Sequence, residues 1–422
     1  MNERLLQFIW QFQYFNHTYL TTVDDKNLQI IHPGSLNQNA GPDFSEAKIK
    51  IDDTTWIGNI ELHIKSSHWL QHNHTNDKNY GNVILHIVWL HDKEIKDANG
   101  NNTATLELQS LVPKITLQKF ERLMNATDFI PCSFALPVLN EVAWLAWKER
   151  LIIERLEKKS ESIIYNLQQV NNHWEEVFWQ TLARSFGMKV NADAFEEIAK
   201  SLPLNILSKH KNQINQLEAL LLGQAGLLNN KFEDAYAVML QKEYKFLANK
   251  YALKPINRSP DFLRMRPNNF PTLRLAQLAI LIYQSSHLFS KIKTAKHVNE
   301  IFQWFDVTAN DFWNYHYTLT DETAYHTKPL GRSFIQHIII NAIVPVFFAY
   351  GLVRNEHVWK DKAVGWLMQL QPEQNIITRQ WKLFKVENKN AFDSQALIHL
   401  KNNYCNFKKC LDCAVCTKLL RE

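Results

Sequence analysis

The strongest constraint on the fold of this chain is a change of sequence pattern near residue 113. Before it, apolar or alternating runs between polar turns predict strands at Leu28 to His32, Ala47 to Ile51, Thr55 to Lys65, Val83 to Leu90 and Thr103 to Leu108. After it, apolar residues recur at helical spacing between Pro, Gly and Asn breakers. We predict an α/β (α+β) sheet domain over 1–113, a mostly α-helical domain over 114–399 and a short cysteine-rich module over 400–422.

The composition is that of an ordinary globular protein. Hydrophobic residues make up 45% and charged residues 21% of 422 residues, enough for two or three domains with their own cores. Only 11 residues are glycine, which argues against a glycine-rich nucleotide-binding fold. The net charge of +5 permits a nucleic-acid partner without requiring one.

Further patterns predict a cytoplasmic protein without a membrane partner. The opening segment MNERLLQFIWQFQYF contains Glu3 and Arg4 and lacks the apolar run and cleavage site of a secretion signal. The longest apolar stretch, His337 to Val353, is interrupted by Asn341 and Pro345, so we predict a kinked, buried helix. All cysteines except Cys132 are gathered at the end of the chain, which favours a reducing compartment over a disulfide framework.

The predicted strand Thr55 to Lys65 carries the best candidate for a catalytic site. Because successive side chains of a strand point to opposite faces, Glu61, His63 and Lys65 share one face. Magnesium or manganese ions that act on phosphodiesters need hard oxygen ligands, and a nearby basic group can stabilise developing negative charge. Glu61 together with His63 or Lys65 could supply both.

The second carboxylate depends on how the neighbouring strand pairs. Simple pairing sets Glu46 opposite Glu61 and turns Asp43 to the other face. A bulge at Gly58-Asn59, where the alternation is interrupted, would instead set Asp43 opposite Lys65 and on the face of Glu61. Asp43 is therefore the candidate if the bulge forms, and Glu46 is the candidate if it does not.

This layout of a helix, a strand with Pro-Asp, a strand with Glu-x-basic and a further strand resembles the PD-(D/E)xK nuclease core. The resemblance covers about the first quarter of the chain. It implies that Asp43 and Glu61 bind metal, with Glu3 of the first helix as a third acid. The lysine that this family usually has two residues after the second acid is His63 here, and Lys65 on the same face could take its place.

A second resemblance runs the full length of the chain. The strings HPGSLNQNAGPDF, WIGNIELHIKSSHW and RMRPNNFPTLRLAQ and the cysteine tail are similar to a large bacterial family of uncharacterised proteins. This resemblance implies a shared fold and cellular setting, and it implies no particular activity.

A cluster of histidines begins in the candidate strand and continues after it. Its members are His63, His68, His72, His74, His86 and His91. His72 and His74 could bind a transition metal with a third ligand, although the spacing matches no established zinc signature. His86 lies in an apolar strand and is expected to be a core histidine. The alternative is that some of these histidines border an active site and the others form hydrogen bonds that stabilise the fold.

Arginines cluster around the segment RMRPNNFPTLR. Guanidinium groups bind phosphates through paired hydrogen bonds, so Arg264, Arg266 and Arg274 are candidate contacts to a nucleic-acid backbone. The alternative is that these arginines pair with acids of the same chain and dock the loop.

The tail contains the motif C-x4-C-x2-C-x2-C. Its members, Cys405, Cys410, Cys413 and Cys416, predict a metal module that holds zinc or an iron–sulfur cluster. Free thiols are the alternative. Cys132 lies far from this motif in sequence and is expected to be simply buried.

These features together favour a metal-dependent, nuclease-like phosphodiester hydrolase that acts on nucleic acid with magnesium or manganese at Asp43 and Glu61. A second hypothesis is a non-catalytic nucleic-acid-binding or scaffold protein with a structural cysteine–metal module. A third is a hydrolase of another substrate with the histidine cluster as its metal centre.

Overall fold

A computed structural model of the protein describes all residues except 38, 98–99, 137–138, 264 and 422. The alternating and apolar runs of the N-terminal region form a mixed sheet. Its strands are β1 Leu28–His32, β2 Ser35–Leu36, β3 Phe44–Ile51, β4 Thr54–Lys65, β5 Val83–Leu90 and β6 Thr105–Glu107. The strand order is β1-β3-β4-β5-β6, with β2 paired to β3. Together with the helices that follow, this sheet confirms the predicted α+β class.

The strand pairing changes from antiparallel to parallel at β4. The pairs β1–β3 and β3–β4 are antiparallel, whereas β4–β5 and β5–β6 are parallel. Parallel neighbours need a crossover, because the chain must return to the end of the sheet at which the first of the two strands begins. Residues 66–82 make this return between β4 and β5, and they carry the short helix α2, His68–Gln71. The predicted cluster of histidines is therefore largely a crossover segment.

The predicted bulge at Gly58-Asn59 in the β3–β4 pair is wrong. Gly58 pairs regularly with Ala47, and the register shifts on the other strand, between Phe44 and Ala47. Glu46 sits in that shift with a left-handed φ of 57° and an exposed side chain. The bulge that sets the register is thus on β3.

The absence of a side chain at Gly58 allows β4 and β5 to approach each other closely. A Cβ at this position would lie 2.5 Å from Ile84 Cγ2 and 2.6 Å from the Asn82 carbonyl oxygen. Any side chain at residue 58 would therefore push β4 and β5 apart.

The opening helix is α1, Glu3–Gln11. Asn2 caps it, because its side-chain oxygen accepts the Leu5 N–H at 2.9 Å. The apolar stripe of α1 is buried, and the helix packs against β4. The Trp10 indole donates to the Pro33 carbonyl at 2.9 Å, which ties α1 to the loop that leads into β2.

The described chain divides into two compact units. One comprises Met1–Trp144 with Leu400–Glu422, and the other comprises Leu145–His399. The first unit holds the sheet together with α3, Lys114–Asn125, and the last helix, α18, Ala414–Arg421. This grouping differs from the predicted division at residues 113 and 400, because residues 114–144 and the cysteine tail belong with the sheet.

Helices make up the second unit, as the periodicity predicts. Their bounds are α4 Glu141–Gln169 (in this unit from Leu145 onward), α5 Trp174–Phe186, α6 Ala192–Ser201, α7 Leu204–Lys209, α8 Ile214–Gln224, α9 Ala235–Tyr251, α10 Pro271–Gln284, α11 Leu288–Thr294, α12 Val298–Trp304, α13 Arg332–Ile338, α14 Val344–Arg354, α15 His357–Gln369, α16 Ile376–Leu383 and α17 Ala391–His399.

The longest apolar stretch is a broken helix. A π-helical segment, Ile339–Ile343, joins α13 to α14 just before Pro345. The extra residue in that turn accommodates the missing proline N–H and its ring, and gives the predicted interruption a structural form. By length and composition Arg332–Arg354 is the one described helix that could cross a membrane, and 78% of its most apolar window is buried. Such burial is that of a core helix, and the absence of a membrane partner stays a prediction.

Glu218 is a charged residue in the core of the helical unit. Its carboxylate accepts hydrogen bonds from the Tyr236 hydroxyl at 2.6 Å, Asn310 Nδ2 at 2.7 Å and Trp313 Nε1 at 3.2 Å. Burial raises the pKa of Glu218 to about 7 in spite of these donors.

We predict that this carboxyl makes the stability of the protein depend on pH. Between about pH 4.5 and 7 the folded state keeps a proton that the unfolded state has lost, so the free energy of unfolding falls as pH rises. Glu218→Gln should remove up to about 3 kcal/mol of this dependence. Urea unfolding from pH 5 to 8 measures it, with the exposed Glu233→Gln as control. Equal pH slopes in Glu218→Gln and wild type would contradict the assignment.

Candidate metal centre on strand β4

Asp43 and Glu61 lie side by side where β3 begins. The Asp43 N–H donates to Glu61 Oε2 at 3.0 Å, and the Leu62 N–H donates to Asp43 Oδ2 at 3.0 Å. Gln7 of α1 donates to Asp43 Oδ1 at 2.7 Å. The bulge at Glu46 produces this arrangement, so Asp43 is the partner of Glu61. Glu46, the other candidate, points to solvent.

Both carboxyl groups are held in surroundings that disfavour their charge. Burial, followed by the charges of Asp43 and Glu3, raises the pKa of Glu61 to about 8. Burial, with a smaller contribution from Glu3, raises the pKa of Asp43 to about 6. Glu3 is exposed at the start of α1 and acts on the pair through its charge. Several carboxyl groups close together, and partly shielded from water, repel one another, so a bound cation would be stabilised among them.

Three histidines converge near Glu61. His63 Nε2 lies 3.2 Å from His72 Nδ1 and 3.6 Å from Glu61 Oε1. His74 Nε2 lies 3.5 Å from the same Glu61 oxygen. One ring nitrogen from each of His63, His72 and His74 falls within 4.8 Å of the other two. The structure therefore brings three imidazoles together, and two of them also lie within 3.6 Å of the Glu61 carboxylate.

The crossover is shaped to deliver these rings. His72 ends α2, Asn73 takes a left-handed φ of 60°, and His74 begins the next turn. Tyr80 stacks on the His74 ring with their centroids 3.8 Å apart. Trp69 of α2 is buried against the same ring and donates its indole N–H to Thr75 Oγ1 at 3.0 Å.

His63 is a neutral side chain in the sheet. Burial, and then the neighbouring His86, His74, His72 and His68, lower its pKa to about 2. Its Nδ1 lies 2.9 Å from His86 Nε2. If Nδ1 carries the hydrogen and donates a hydrogen bond to His86, Nε2 keeps a lone pair that points toward Glu61 and His72. The His86 Nδ1 atom has no hydrogen-bond partner among the described residues.

The geometry suits a first-row transition metal. In a tetrahedral site with metal–ligand bonds of about 2.1 Å, neighbouring ligand atoms are roughly 3.4 Å apart. The three contacts measured among Glu61, His63, His72 and His74 lie between 3.2 and 3.6 Å. Mixed imidazole and carboxylate ligands are typical of zinc sites, whereas magnesium prefers oxygen alone. His63, expected to assist an attacking water, stands instead among the possible ligands.

Lys65 is not a member of the converging group. It is exposed at the end of β4, where it pairs with Leu90 of β5. His68 has its ring centroid 6.2 Å from that of His63, but it is not part of the converging group.

The cysteine tail folds onto the sheet unit. Cys410, Cys413 and Cys416 are buried, whereas Cys405 is half-buried. The thiol of Cys416 is in hydrogen-bonding contact with Cys132, Cys410 and Cys413, and these contacts raise its pKa. The sequence pattern missed Cys132, because the whole helical unit separates it from the tail along the chain.

Arg274 does not have the predicted role in nucleic-acid binding. It is buried in α10, and its guanidinium donates to Gln277 Oε1 at 2.8 Å and Asn269 Oδ1 at 2.7 Å. It also lies 3.5 Å from the centre of the Phe334 ring. A buried side chain held in this way does not present its charge to a phosphate, and its partners are amides of the same chain and not the acids that the alternative named.

The other arginines of the segment differ among themselves. Arg258, which precedes the segment, pairs with Asp261 at 2.8 Å, again within the chain. Arg266 is exposed, so its predicted contact with a phosphate backbone stays a prediction. Arg264 lies outside the residues that the structure describes.

The chain belongs to the family described as protein of unknown function (DUF2851), whose model matches residues 3–376. No curated protein and no solved structure matches it. The full-length resemblance to an uncharacterised family is thereby confirmed in outline, although the match ends before the cysteine tail. The resemblance to the nuclease core stays a prediction.

We predict that His74→Ala lowers the affinity of this centre for zinc by at least 10-fold, because it removes one of three converging nitrogens. Isothermal titration with zinc measures the loss. His68→Ala is the matched control, since it removes a nearby histidine outside the group. Equal affinities for wild type and His74→Ala, or equal losses in both variants, would contradict the assignment.

Proposed function

We propose that this member of the family is a metal-dependent hydrolase of phosphodiester bonds in nucleic acid. The observation that carries the proposal is the convergence of His63, His72 and His74, with Glu61 in contact with His63 and His74 and Asp43 beside Glu61. The donor set favours zinc or manganese over the magnesium that carboxylates alone would suggest.

The residues around the centre supply the functions that such a reaction needs. A divalent ion bound there would polarise a phosphoryl oxygen and lower the pKa of a water molecule. Asp43, with a pKa of about 6, can accept a proton near neutral pH. Lys65, exposed on the same strand, can offset the negative charge of a phosphate that approaches from solvent.

The order of elements supports nucleic acid as the substrate class. Helix α1 packs on the sheet, β3 begins directly after Pro42-Asp43, and β4 carries Glu61 before a parallel β5. This is the layout on which the resemblance to the PD-(D/E)xK core rests. The charge of +5 is compatible with a polyanionic substrate.

A hydrolase of another substrate is the second candidate. The observation that favours it is the imidazole-rich ligand set, since the resemblance to the nuclease core implies ligands drawn from acids. In that case hydrolysis would depend on Glu61 and His74 but would occur on esters or amides and not on nucleic acid. A non-catalytic nucleic-acid-binding or scaffold role would show salt-sensitive binding without turnover.

We predict that the protein cleaves labelled single- or double-stranded DNA or RNA in the presence of zinc or manganese. Glu61→Gln should lower the rate by about 100-fold or more. Residues that only hydrogen-bond to metal ligands already change activity by about 10- to 100-fold when they are replaced, and Glu61 would be a ligand itself. Gel assays of initial rates measure this effect. Glu46→Gln is the matched control, since Glu46 is exposed on the neighbouring strand and points away from the centre.

Two results would contradict this proposal. One is the absence of cleavage by folded, metal-loaded protein, and the other is cleavage that Glu61→Gln retains in full. Turnover of phosphate esters or amides without cleavage of nucleic acid would favour the second candidate.

A further inference from the structure

The second cluster of potential ligands in the sheet unit is made of sulfur. Cys132 lies between α3 and α4 and is 3% exposed, although nothing in its local sequence marks it as special. Its thiol meets Cys416 of α18, and Cys410 and Cys413 meet the same thiol. All of these cysteines are free thiols. Two segments far apart in sequence thus bring four sulfurs into one buried group.

We propose that Cys132, Cys410, Cys413 and Cys416 form a structural zinc site that joins the two chain segments of the sheet unit. The tail motif alone suggests Cys405 as the fourth ligand, and the fold replaces it with Cys132. This proposal is independent of the proposed hydrolase activity.

Sulfur-to-sulfur contact favours a single ion over an iron–sulfur cluster. With zinc–sulfur bonds of about 2.3 Å, the four sulfurs of an occupied tetrahedral site would lie roughly 3.8 Å apart. A four-iron cluster places inorganic iron and sulfide between its cysteines and holds them farther apart. Thiols in direct contact leave no room for such a cluster between them, so the contacts of Cys416 with three other thiols favour the single ion.

The backbone around Cys413 is arranged for a thiolate. Its sulfur accepts the backbone N–H groups of Val415 and Cys416, which belong to the first turn of α18. Such donors stabilise negative charge on a ligand sulfur and orient it. A buried neutral thiol would gain little from two N–H donors.

Cys405 stands at the margin of the group. It is half-buried, whereas Cys132, Cys410, Cys413 and Cys416 are only 2% to 4% exposed. Because four thiolates complete a tetrahedral zinc site, the fifth cysteine is left over. Cys405 therefore provides a matched control within the same cluster.

The tail that this zinc would hold also contacts α1. Asp412 forms an ion pair with Arg4, and the Arg421 guanidinium lies 4.8 Å from the centre of the Phe12 ring. On the next turn of α1, Gln7 holds Asp43 of the candidate metal centre. Loss of zinc from the tail should therefore loosen α1 and, through it, the carboxylate pair.

We predict that Cys132→Ser lowers tightly bound zinc by one equivalent per chain relative to wild type, whereas Cys405→Ser leaves it unchanged. Metal analysis of the purified full-length protein measures this difference. Because the measurement compares variants with wild type, zinc bound at the histidine centre does not affect it. Cys132→His, which keeps a zinc ligand, should restore most of the lost equivalent.

Cobalt(II) substitution supplies a second readout. Wild type and Cys405→Ser should show the sulfur-to-cobalt charge-transfer absorption of a four-thiolate site, which keeps the test decisive if Cys132→Ser does not fold. Hydrogen exchange in Glu3–Gln11 should increase when a chelator removes the zinc.

Several results would overturn this inference. Full zinc retention by Cys132→Ser would exclude Cys132 as a ligand, and zinc loss in Cys405→Ser would restore the tail motif. Bound iron and sulfide would replace the single ion with a cluster. Five titratable thiols and no thiolate-bound cobalt would exclude a metal site altogether.

Discussion

The parallel pairing of β4 with β5 is the constraint on which the candidate metal centre depends. A hairpin would have left the polar face of β4 open to water, whereas parallel pairing requires a crossover of residues 66–82. That crossover lies over Glu61 and His63, leaving them 6% and 1% exposed. It also supplies His72 and His74. One topological requirement therefore both buries the first two groups and delivers the other two.

Burial gives these groups their chemical character. In water, carboxylates would be charged and imidazoles would titrate near neutral pH, but here burial raises the pKa of Glu61 and lowers that of His63. A largely protonated acid next to a neutral imidazole has lost the charge that would stabilise a cation, and a bound metal ion would restore the carboxylate. Perturbed groups of this kind cluster at functional sites, which is why the centre and not the arginine loop carries the proposed function.

Sequence reasoning was most successful where the signal is local. The strands Leu28–His32 and Val83–Leu90 have the predicted bounds, because apolar alternation and flanking turns act within a few residues. Asp43 was identified as a candidate, but for the wrong reason. The register shift lies at Glu46 of β3, and a one-residue bulge with a left-handed residue leaves little trace in a sequence.

The sequence by itself determined the two kinds of secondary structure, the row of Glu61 and His63 on one strand and the supply of histidines and cysteines. Only the tertiary structure decided which of them meet. His72 and His74 reach His63 because the crossover folds back over β4, and Cys132 reaches Cys416 because residues 1–144 and 400–422 belong to one unit. Arg274 is buried in the core for the same reason and does not face solvent. Contacts between residues distant in sequence depend on packing and chain topology, which local residue patterns do not encode.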